Sequence, residues 1–367
     1  MPGSPSSQLR FLIAGGGTGG HIIPALAIAD ALKAQHAAEI RFVGTARGLE
    51  SRLVPQAGYP LELIRAGQLN QVSLGTRLRT VADLPRAAIQ CVRLLRSFRP
   101  AAVIGVGGYA SGPVMAAAVL LRIPTLAFEP NAVPGMANRL VGRWVSAAAV
   151  NFAPAMRYFR RARVTGIPAR ADFFRLVPRP PAAPPHLLVF GGSQGARALN
   201  TAMPKIAAEL LRAVPSLTLL HQAGARHVET TLAAYQASGA PPDRWQVTAF
   251  LDDMPRRFEA ADLVLSRSGA STVAELCAAG KPAVLIPFPQ AADDHQRRNA
   301  EVLSDAGAAT LLLEPELTPN RLLQTLADLF AQPAKLLEMS ARAKSLAHPD
   351  AAEQIASMAV AIARPSA

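Results

Sequence analysis

A glycine-rich run that ends in a histidine is the first stretch of this chain whose residue types could do chemistry. Gly15, Gly17 and Gly20 of AGGGTGGH follow an apolar, strand-like segment and match the G-x-G-x-x-G pattern. Glycines there let the backbone turn sharply and present amide N–H groups at the positive end of a helix, which attracts anions. Histidine accepts protons near neutral pH, so His21 is a candidate general base. A helix-capping or structural histidine is the alternative for this residue.

The same glycine pattern occurs in dinucleotide-binding folds, where an acidic residue about 20 residues later holds a ribose. Glu39 to Val43 is the predicted second strand, and Gly44, Thr45 and Ala46 follow it. The ribose-binding acid is missing from that position. A nicotinamide-dependent oxidoreductase therefore becomes the second choice.

Strand-like apolar runs alternate with helical segments along the chain, which predicts parallel sheets covered by helices. The Pro-rich run Val177 to Pro185 interrupts the alternation and is typical of a stiff connector. Directly after it, His186 to Asn200 repeats the order of strand, glycines and helix. We expect an α/β protein with two Rossmann-like, doubly wound domains that face an interdomain cleft and bind ligands at the carboxyl ends of their strands. The predicted strands are 9–14, 39–43, 102–105, 125–128, 147–150, 217–221, 246–249, 263–266 and 283–287, with another opening at 186; the first helix is predicted over 23–32.

The net positive charge of the chain is confined to its first half. Residues 1–166 hold 19 Lys and Arg against 6 Asp and Glu, whereas residues 167–367 hold 19 of each. Basic side chains interleaved with apolar ones favour an anionic membrane surface, with a solvated helix face as the alternative. Nucleic acid is not an expected partner, because no nucleic-acid module is recognisable and aromatic residues are sparse. The arginines assigned to the membrane are Arg77, Arg79, Arg86, Arg93, Arg96 and Arg99.

Length, cysteines and hydropathy set further bounds. With 367 residues, half of them hydrophobic, the chain can form two domains. Cys91 and Cys277 match no metal or redox spacing, so we expect buried free thiols in a reducing compartment. The first residues lack the pattern of a signal peptide, which favours the cytoplasm. The uncharged run 101–121 contains GVGGYASGP, which fits strand, loop and helix better than a membrane span.

Five segments, taken in order, resemble the MurG family of bacterial N-acetylglucosaminyltransferases. The resemblance implies a GT-B fold and transfer of N-acetylglucosamine from UDP-N-acetylglucosamine to the polyprenyl-pyrophosphoryl acceptor lipid I, with inversion at the anomeric carbon. The product of that reaction is lipid II. The segments are GGGTGGHIIPALAIADAL, GVGGYASGP, NAVPG, GGSQGARALN and SRSGASTVAELCAAGKPAVLIPFPQAADDHQRRNA.

The resemblance also implies a division of labour along the chain. Residues 1–166 would bind the acceptor and the membrane, 167–185 would form the linker, and 186–350 would bind UDP-N-acetylglucosamine. A C-terminal helix at about 351–363 would pack back on the first domain. The protein would lie peripherally on the cytoplasmic face of the cell membrane, in agreement with its basic first half, and would meet other cell-wall synthesis proteins.

Several residues are candidates for holding the donor. Gly192 and Ser193 lie where a loop enters a helix, which suits a diphosphate, and the resemblance implies that role; a tight turn without ligand is the alternative. The resemblance assigns the ribose to Glu275, although Thr272 to Glu275 also fits a helix capping box. Arg170 is expected near the phosphates, where a guanidinium can stabilise the leaving group. The other donor candidates are Thr18, Gly19, Gly20, Asn131, Leu251 for the uracil, Ala270, Ser271, Thr272, and Gln296 for the sugar; Leu251 and Gln296 would otherwise be core and surface residues.

The acceptor is expected at the first glycine loop and at GVGGYASGP. His21 would take the proton of the acceptor hydroxyl, with Glu129 as a rival base or as the partner that orients it. The family often has His-Glu-Gln-Asn where this chain has Phe128-Glu129-Pro130-Asn131, so the roles of the missing His and Gln are not carried over. The acceptor candidates are Gly17, Gly107, Gly108, Tyr109 and Ser111.

The chain has two acidic pairs, Asp252-Asp253 and Asp293-Asp294, which are weak evidence for a metal site. Adjacent carboxylates more often cap helices or face water, and helix dipoles with an arginine can serve the leaving group instead. We expect no metal and no cofactor, because UDP-N-acetylglucosamine is a substrate. The remaining alternatives are a UDP-N-acetylglucosamine epimerase, another glycolipid glycosyltransferase and a non-catalytic lipid-binding protein.

Overall fold

The computed structural model describes residues 8–17, 19–46, 48–64, 74–181 and 184–363, with the side chains of 74–84 left aside. The chain divides into two compact units. Unit 1 comprises Met1–Pro168 together with Asp350–Ala367, and unit 2 comprises Ala169–Pro349.

Unit 1 alternates strands and helices. Its elements are β1 (Arg10–Gly15), α1 (Gly19–His36), β2 (Glu39–Gly44), α2 (Glu50–Gln56), β3 (Leu61–Leu63), α3 (Leu74–Phe98), β4 (Ala102–Gly107), α4 (Ser111–Leu120), β5 (Thr125–Glu129), α5 (Met136–Val141), β6 (Ala147–Val150) and β7 (Ala162–Val164), closed by a helix at Ala351–Ala363. Within the described ranges the strands form a seven-stranded parallel sheet of order β3-β2-β1-β4-β5-β6-β7.

The central strands of unit 1 are buried on both faces, which explains their nearly continuous apolar sequences. Phe11, Leu12 and Ile13 of β1 and Val103 and Ile104 of β4 are completely buried. Since β1 and β4 pair directly, this core fixes the two loops that follow them next to each other.

Unit 2 has the same plan. Its elements are α6 (Ala171–Phe174), β8 (His186–Phe190), α7 (Arg197–Ala213), β9 (Thr218–Gln222), α8 (Val228–Gln236), β10 (Trp245–Thr248), α9 (Met254–Ala260), β11 (Leu263–Ser266), α10 (Ala270–Ala279), β12 (Ala283–Leu285), α11 (His295–Asp305), β13 (Ala309–Leu311), α12 (Pro319–Phe330) and α13 (Pro333–Ser345). In the part of unit 2 that the structure describes, six parallel strands follow the order β10-β9-β8-β11-β12-β13. The predicted pair of Rossmann-like sheets is confirmed.

The final helix packs on unit 1, and the segment after Pro168 is bonded within unit 2. The final helix, α14 (Ala351–Ala363), packs on α1 and on β4 and β5 of unit 1. The segment after Pro168 is bonded to unit 2, because the Lys344 ammonium donates to the carbonyls of Phe174 and Leu176 at 2.9 and 2.7 Å. Arg179 Nη1 lies 3.5 Å from Asp262 Oδ1. The Pro-rich stretch therefore lies along unit 2 through Arg179.

Sequence and structure differ at a few element boundaries. The helix α1 begins at Gly19 rather than Ile23, so Pro24 lies inside it. The short strands β3, β7 and β13 were not predicted, because three residues are too few to display a hydrophobic pattern.

The remaining bulk predictions can be compared directly. Cys91 and Cys277 are buried free thiols, and burial raises their pKa values to about 11 and about 12. The uncharged run 101–121 forms β4, a loop and α4, as predicted. Among the described residues we find no helix with the length and apolar character needed to cross a membrane.

Candidate functional site

Each sheet has a point where neighbouring strands are followed by helices that leave in opposite directions. These strands are β1 and β4 in unit 1, and β8 and β11 in unit 2. Doubly wound sheets bind ligands outside the carboxyl ends of the strands at this point. The helices α1, α4, α7 and α10 begin there, and their first amide groups have no partner within the helix. The topology thus provides each unit with a place that attracts anions.

In unit 1, the loop after β1 passes very close to the loop after β4. Gly16 and Gly17 have φ angles of +154° and +99°. A Cβ on Gly108 would lie 2.0 Å from the Gly16 carbonyl oxygen. His21, in the first turn of α1, packs over Gly107, where an added Cβ would lie 2.9 Å from the imidazole Nε2. The candidate base therefore lies at the end of β4, beside both glycine segments.

The start of α4 supplies polar groups at the same edge of the sheet. The hydroxyl oxygen of Ser111 is buried and has no hydrogen-bond partner among the described residues. Tyr109 is 43% exposed. An unpartnered hydroxyl at a helix start, next to an exposed phenol, suits an anionic ligand. Thr18, which the sequence assigned to the donor, lies outside the described residues.

A buried carboxylate that the sequence analysis did not single out lies beneath the first glycine loop. Glu50, the first residue of α2, accepts a hydrogen bond from the Gly17 amide at 2.7 Å. The Gly17 N–H is therefore used within the protein, and the acceptor contact expected at Gly17 stays a prediction. The available signal was an acid shortly after β2, but the ribose-binding pattern looks only at the strand end.

Glu129, the last residue of β5, is only 2% exposed. Its Oε1 accepts from the amide and the side chain of Asn131 at 2.9 and 3.2 Å. Its Oε2 accepts from the Gly135 amide at 3.1 Å and from Asn138 Nδ2 at 2.9 Å. Burial raises the pKa of this carboxyl, although the four donors lower it. With both oxygens bonded, the geometry favours Glu129 as the organiser of its own loop over its predicted role as a base.

The departure from the family pattern lies in the same loop. Phe128 is completely buried in the core of unit 1. The Pro130 carbonyl accepts a hydrogen bond from Asn151 Nδ2 at 3.1 Å. In this chain both substituted positions therefore serve packing and loop anchoring.

In unit 2, the glycine loop after β8 closes on itself. The Gly195 amide donates to the Gly192 carbonyl at 2.9 Å. Gly192 has a φ of +86° with open space around an added Cβ, whereas a Cβ on Gly195 would lie 1.8 Å from the Ala223 carbonyl oxygen. Ser193 is exposed, and α7 begins at Arg197 without a side-chain cap. The loop tip thus lies in front of an uncapped helix start.

The start of α10 is the second feature of this site. The helix begins at Ala270 after Gly269, with no side-chain hydrogen bond to its cap. Since Thr272 is already the third helical residue, the capping-box interpretation is wrong. The hydroxyl oxygen of Ser271 is buried and unpartnered within the described part of the chain. The first turn of α10 therefore keeps polar groups for a ligand.

Glu275 and Arg170, which are distant in sequence, meet beside α10. Arg170 Nη2 lies 3.6 Å from Glu275 Oε1, and the two side chains are 45% and 22% exposed. Removal from water raises the pKa of Glu275 to about 7, although the Arg170 guanidinium lowers it. Arg170 also lies over the Phe173 ring, 4.9 Å from its centroid. The carboxylate and the cation are thus held together beside α10.

Gln296 and Leu251, two further donor candidates, both make contacts within unit 2. Gln296 Oε1 accepts from the Phe288 amide at 3.0 Å, and its carbonyl accepts from the Ser268 hydroxyl at 2.7 Å. These bonds tie α11 to the segments that follow β11 and β12. Leu251 is 8% exposed, so its side chain belongs to the core.

Arg267 is a second residue that the sequence analysis missed. It follows β11 directly and is 8% exposed. Its Nη1 donates to the carbonyls of Ile286 and Pro287 at 3.1 and 3.0 Å, and its Nη2 lies 2.6 Å from Glu314 Oε2. This arginine fixes the chain after β12 against the end of β11. The signal was an arginine directly after a buried strand.

The acidic pairs lie next to helix starts. Asp253 caps α9 by accepting from the Arg256 amide at 3.5 Å. Asp293 and Asp294 both have a φ of +54° immediately before α11. Across the described ranges, no three His, Cys, Asp or Glu side chains are grouped to hold a metal ion.

The arginines assigned to the membrane lie on α3 and at its end. Those with described side chains, Arg86, Arg93, Arg96 and Arg99, are all exposed. The side chains of Arg77 and Arg79 lie outside the described residues. The opposite face of α3 packs into unit 1 through the buried residues Ala87, Cys91, Leu95 and Phe98.

Comparison with known proteins places the chain in a family. Residues 11–150 match the glycosyltransferase family 28 N-terminal domain, and residues 186–355 match the corresponding C-terminal domain. A transferase of Anaeromyxobacter dehalogenans, named UDP-N-acetylglucosamine–N-acetylmuramyl-(pentapeptide) pyrophosphoryl-undecaprenol N-acetylglucosamine transferase, is 44% identical over 97% of this chain and 94% of its own length. A protein of the same name from Syntrophotalea carbinolica is 45% identical over 95% of this chain and 97% of its own length.

Solved structures agree with this placement. The crystal structure of Acinetobacter baumannii MurG matches with a TM-score of 0.79 and 32% identity, over 96% of this chain and 99% of that one. The glycosyltransferase of kitacinnamycin, with a TM-score of 0.72 and 19% identity over 97% of this chain and 100% of that one, shares the fold alone. The two sheets and the matched domains define a family 28 glycosyltransferase of GT-B fold. Within that class, the chain belongs to the MurG family, which confirms the resemblance found in the sequence.

Proposed function

We propose that this protein transfers N-acetylglucosamine from UDP-N-acetylglucosamine to lipid I and so forms lipid II. The observation that carries the proposal is the pair Glu275 and Arg170, 3.6 Å apart, on the unit whose helix α10 has an uncapped start, in a chain 44% identical to a transferase of that name. A carboxylate can accept both hydroxyl protons of a ribose, and a helix start with an arginine can hold a diphosphate.

The donor is bound mainly by unit 2 in this proposal, with Thr18, Gly19, Gly20 and Asn131 of unit 1 as further predicted donor contacts. Ser193 and the start of α7 receive the diphosphate, and Glu275 accepts the ribose hydroxyls. Arg170 stabilises the negative charge that develops on the departing UDP. Leu251 and Gln296 remain the predicted contacts of the uracil and the sugar.

The acceptor is bound by unit 1. Tyr109 and Ser111, at the start of α4, face its diphosphate. His21 removes the proton from the C4 hydroxyl of the acceptor's N-acetylmuramyl group. The oxygen then attacks the anomeric carbon while the bond to UDP breaks on the opposite side, so the configuration inverts.

The negative charge that develops on the departing UDP must be stabilised by positive groups. The starts of α7 and α10 carry positive dipole ends, and Arg170 adds a full positive charge. These groups stabilise the negative charge on the departing UDP, which a divalent cation would otherwise neutralise. We therefore propose turnover without a protein-held metal and without a cofactor.

Membrane attachment is proposed for the arginines of α3 and its end, as the sequence predicts, and in addition for the amino edge of the sheet of unit 1. Segments that directly precede parallel strands lie at that edge, opposite the carboxyl ends that carry the site. Exposed arginines and large apolar side chains occur there together, which suits an anionic lipid surface and a peripheral position on it. They are Arg99, Leu120 at 83% exposure, Arg122, Arg143, Trp144 at 67% exposure, and Arg161.

The transfer is tested by measuring UDP release from UDP-N-acetylglucosamine with and without a water-soluble lipid I analogue, and by identifying the product by mass. Acceptor-dependent release with a product heavier by one N-acetylglucosamine supports the proposal. Glu275→Ala should lose donor affinity, whereas the matched control Glu209→Ala, at an exposed position on α7, should not. Isomerisation of the donor without acceptor, or no product from folded protein, would overturn it.

The membrane surface is tested by sedimentation with phosphatidylglycerol vesicles and with neutral phosphatidylcholine vesicles. We expect binding to the anionic vesicles that Arg122→Glu combined with Trp144→Ala weakens severalfold. The control Arg212→Glu changes an exposed arginine of unit 2 and should bind as the unaltered protein does. Equal loss in both variants would contradict the assignment of this edge.

A further inference from the structure

A carboxylate is bonded directly to the glycine loop that the sequence marks as an anion site. Glu50 is 1% exposed. Its Oε2 accepts from the Gly17 amide at 2.7 Å, and its Oε1 accepts from the amide and the hydroxyl of Thr45, both at 2.9 Å. Three donors from two separate segments thus converge on one buried side chain.

The surrounding backbone leaves room for this carboxylate and little else. A Cβ on Gly16, Gly44 or Gly48 would lie 2.1, 2.4 or 1.9 Å from an atom of the Glu50 side chain. Real Cβ atoms do not approach other atoms so closely, so a Cβ at any of the three positions would push the Glu50 side chain out of its place. The loop, the end of β2 and the segment before α2 are therefore shaped around one side chain.

The carboxylate is held in its charged form. Burial by itself raises the pKa of Glu50, but the hydrogen bonds from Gly17 and Thr45 outweigh burial and hold the pKa below its ordinary value. The Glu50 interactions are therefore those of an anion at neutral pH.

These bonds determine which donors of the loop can face a ligand. The Gly17 amide is used by Glu50, and the Gly16 amide donates to the Gly107 carbonyl at 3.3 Å. The Gly17 carbonyl accepts from the Leu49 amide at 3.3 Å. The turn is thus anchored on both sides, and one residue, Thr18, separates it from the first turn of α1, which carries His21.

We propose that Glu50 is a positioning residue for the transfer step: its carboxylate fixes the Gly16 and Gly17 turn and thereby the start of α1 and the imidazole of His21. The proposal rests on the proposed function of His21 as the base. Its consequence is kinetic, because a base displaced by about 1 Å can slow a reaction on the order of 100-fold while the donor still binds.

Glu50→Gln is the first test, since it keeps the shape and removes the charge. An amide has one oxygen and one NH2 group, so at least one of the three donors loses its acceptor. We expect kcat to fall about 10- to 100-fold, with a much smaller rise in the KM for UDP-N-acetylglucosamine, because most of the predicted donor contacts lie in unit 2. Glu39→Gln, at an exposed position on β2 in the same unit, is the control that should retain kcat.

Substitutions at Thr45 keep the proposal testable if Glu50→Gln does not fold. Thr45→Val removes the hydroxyl bond and keeps the amide bond, so its kcat should lie between those of Glu50→Gln and the unaltered protein. Thr45→Ser restores the hydroxyl and should recover most of the loss. A folded Glu50→Gln with kcat within twofold of the unaltered protein would overturn the proposal. So would a loss shared equally between kcat and donor KM, or a Thr45 series that does not follow this order.

An observation independent of activity separates this inference from the proposed function. The Gly17 amide resonance should move upfield in Glu50→Gln in a TROSY spectrum, because its bond to a charged acceptor is lost. If the unaltered protein fails to transfer N-acetylglucosamine but the resonance moves, the proposed function fails and the loop bond stands. An unmoved resonance would contradict the loop bond itself.

Discussion

The two glycine loops of this protein follow equivalent strands, yet their backbone amides are used differently. In unit 1, the Gly17 amide is held by Glu50 at 2.7 Å and the Gly16 amide by the Gly107 carbonyl at 3.3 Å. In unit 2, the Gly195 amide turns back to the Gly192 carbonyl of its own loop at 2.9 Å. The first loop is anchored by neighbouring segments, whereas the second is closed by itself.

This difference matches the tasks that we assign to the two units. A loop that carries a base must hold one side chain in place, and anchoring by Glu50 restricts its movement. A loop that receives a diphosphate must leave its tip accessible, and Ser193 is exposed in front of the uncapped α7. A shared glycine pattern therefore indicates a strand-to-helix turn near an anion, but the neighbours of the loop decide what the turn does.

The largest effect should come from the base on the first loop. We expect His21→Ala to lower kcat about 10²- to 10⁴-fold, the usual contribution of a general base, with little change in donor KM. Steady-state UDP release with the lipid I analogue measures both constants. A decrease of kcat by less than tenfold in His21→Ala would contradict the catalytic role of the first loop. The control is His36→Ala, at a histidine in the last turn of α1 and away from the loops.

The ribose contact of unit 2 should show the opposite kinetic pattern. Glu275→Gln keeps the size of the side chain but removes a charged acceptor, so the donor KM should rise about 10-fold while kcat changes less. Isothermal titration calorimetry with UDP measures the corresponding dissociation constant. Unchanged UDP affinity would contradict the assignment of Glu275 to the nucleotide.

Backbone crowding around the two loops should be visible in the free energy of unfolding. Gly108 follows β4 and packs against Gly16 of the first loop, whereas Gly192 belongs to the second loop. Gly108→Ala places a Cβ 2.0 Å from the Gly16 carbonyl oxygen at a φ of +82°, so we expect a loss of several kcal/mol or failure to fold. Gly192→Ala has a φ of +86° but open space, so it should cost only about 1–2 kcal/mol. Denaturant unfolding compares the two variants, and equal losses would show that conformation rather than crowding dominates.

The smallest effect is a shift in pH dependence. The pKa of Glu275 is raised to about 7, and Arg170 keeps it from rising further. Donor affinity should therefore improve as pH rises through about 7, because the ionised carboxylate accepts the ribose protons. Arg170→Leu removes the nearby cation, so the midpoint should move to higher pH. Arg175→Leu, in the same segment, is the control, and a midpoint that moves down or stays fixed in Arg170→Leu would contradict the pairing.

Patterns with a short period were predictable from the sequence. Strands such as Leu263 to Ser266 were located by their apolar runs, and the buried state of Cys91 and Cys277 followed from their isolation. The capping-box interpretation of Thr272 failed, because the helix begins two residues earlier at Ala270. Helix starts after a glycine lack the side-chain signal that such patterns use.

Residues whose roles depend on distant partners were not predictable in the same way. Glu50 lies in an unremarkable stretch of sequence, and only the pairing of β1 with β2 brings it under Gly17. Arg267 has a structural role only because the fold brings it to the Ile286 and Pro287 carbonyls on the neighbouring segment. Glu129 had the residue type of a base, but burial and four hydrogen bonds assign it to its loop.

The sequence by itself determined the repeated strand, glycine and helix order, the basic first half and the family. These properties are local or additive, so they can be read along the chain. The tertiary structure alone decided that the Gly17 amide is taken by Glu50, that Glu275 meets Arg170, and that Lys344 holds the chain after Pro168. Hydrogen bonds and ion pairs act over about 3 Å between residues far apart in sequence, so only the packed sheets bring their partners together.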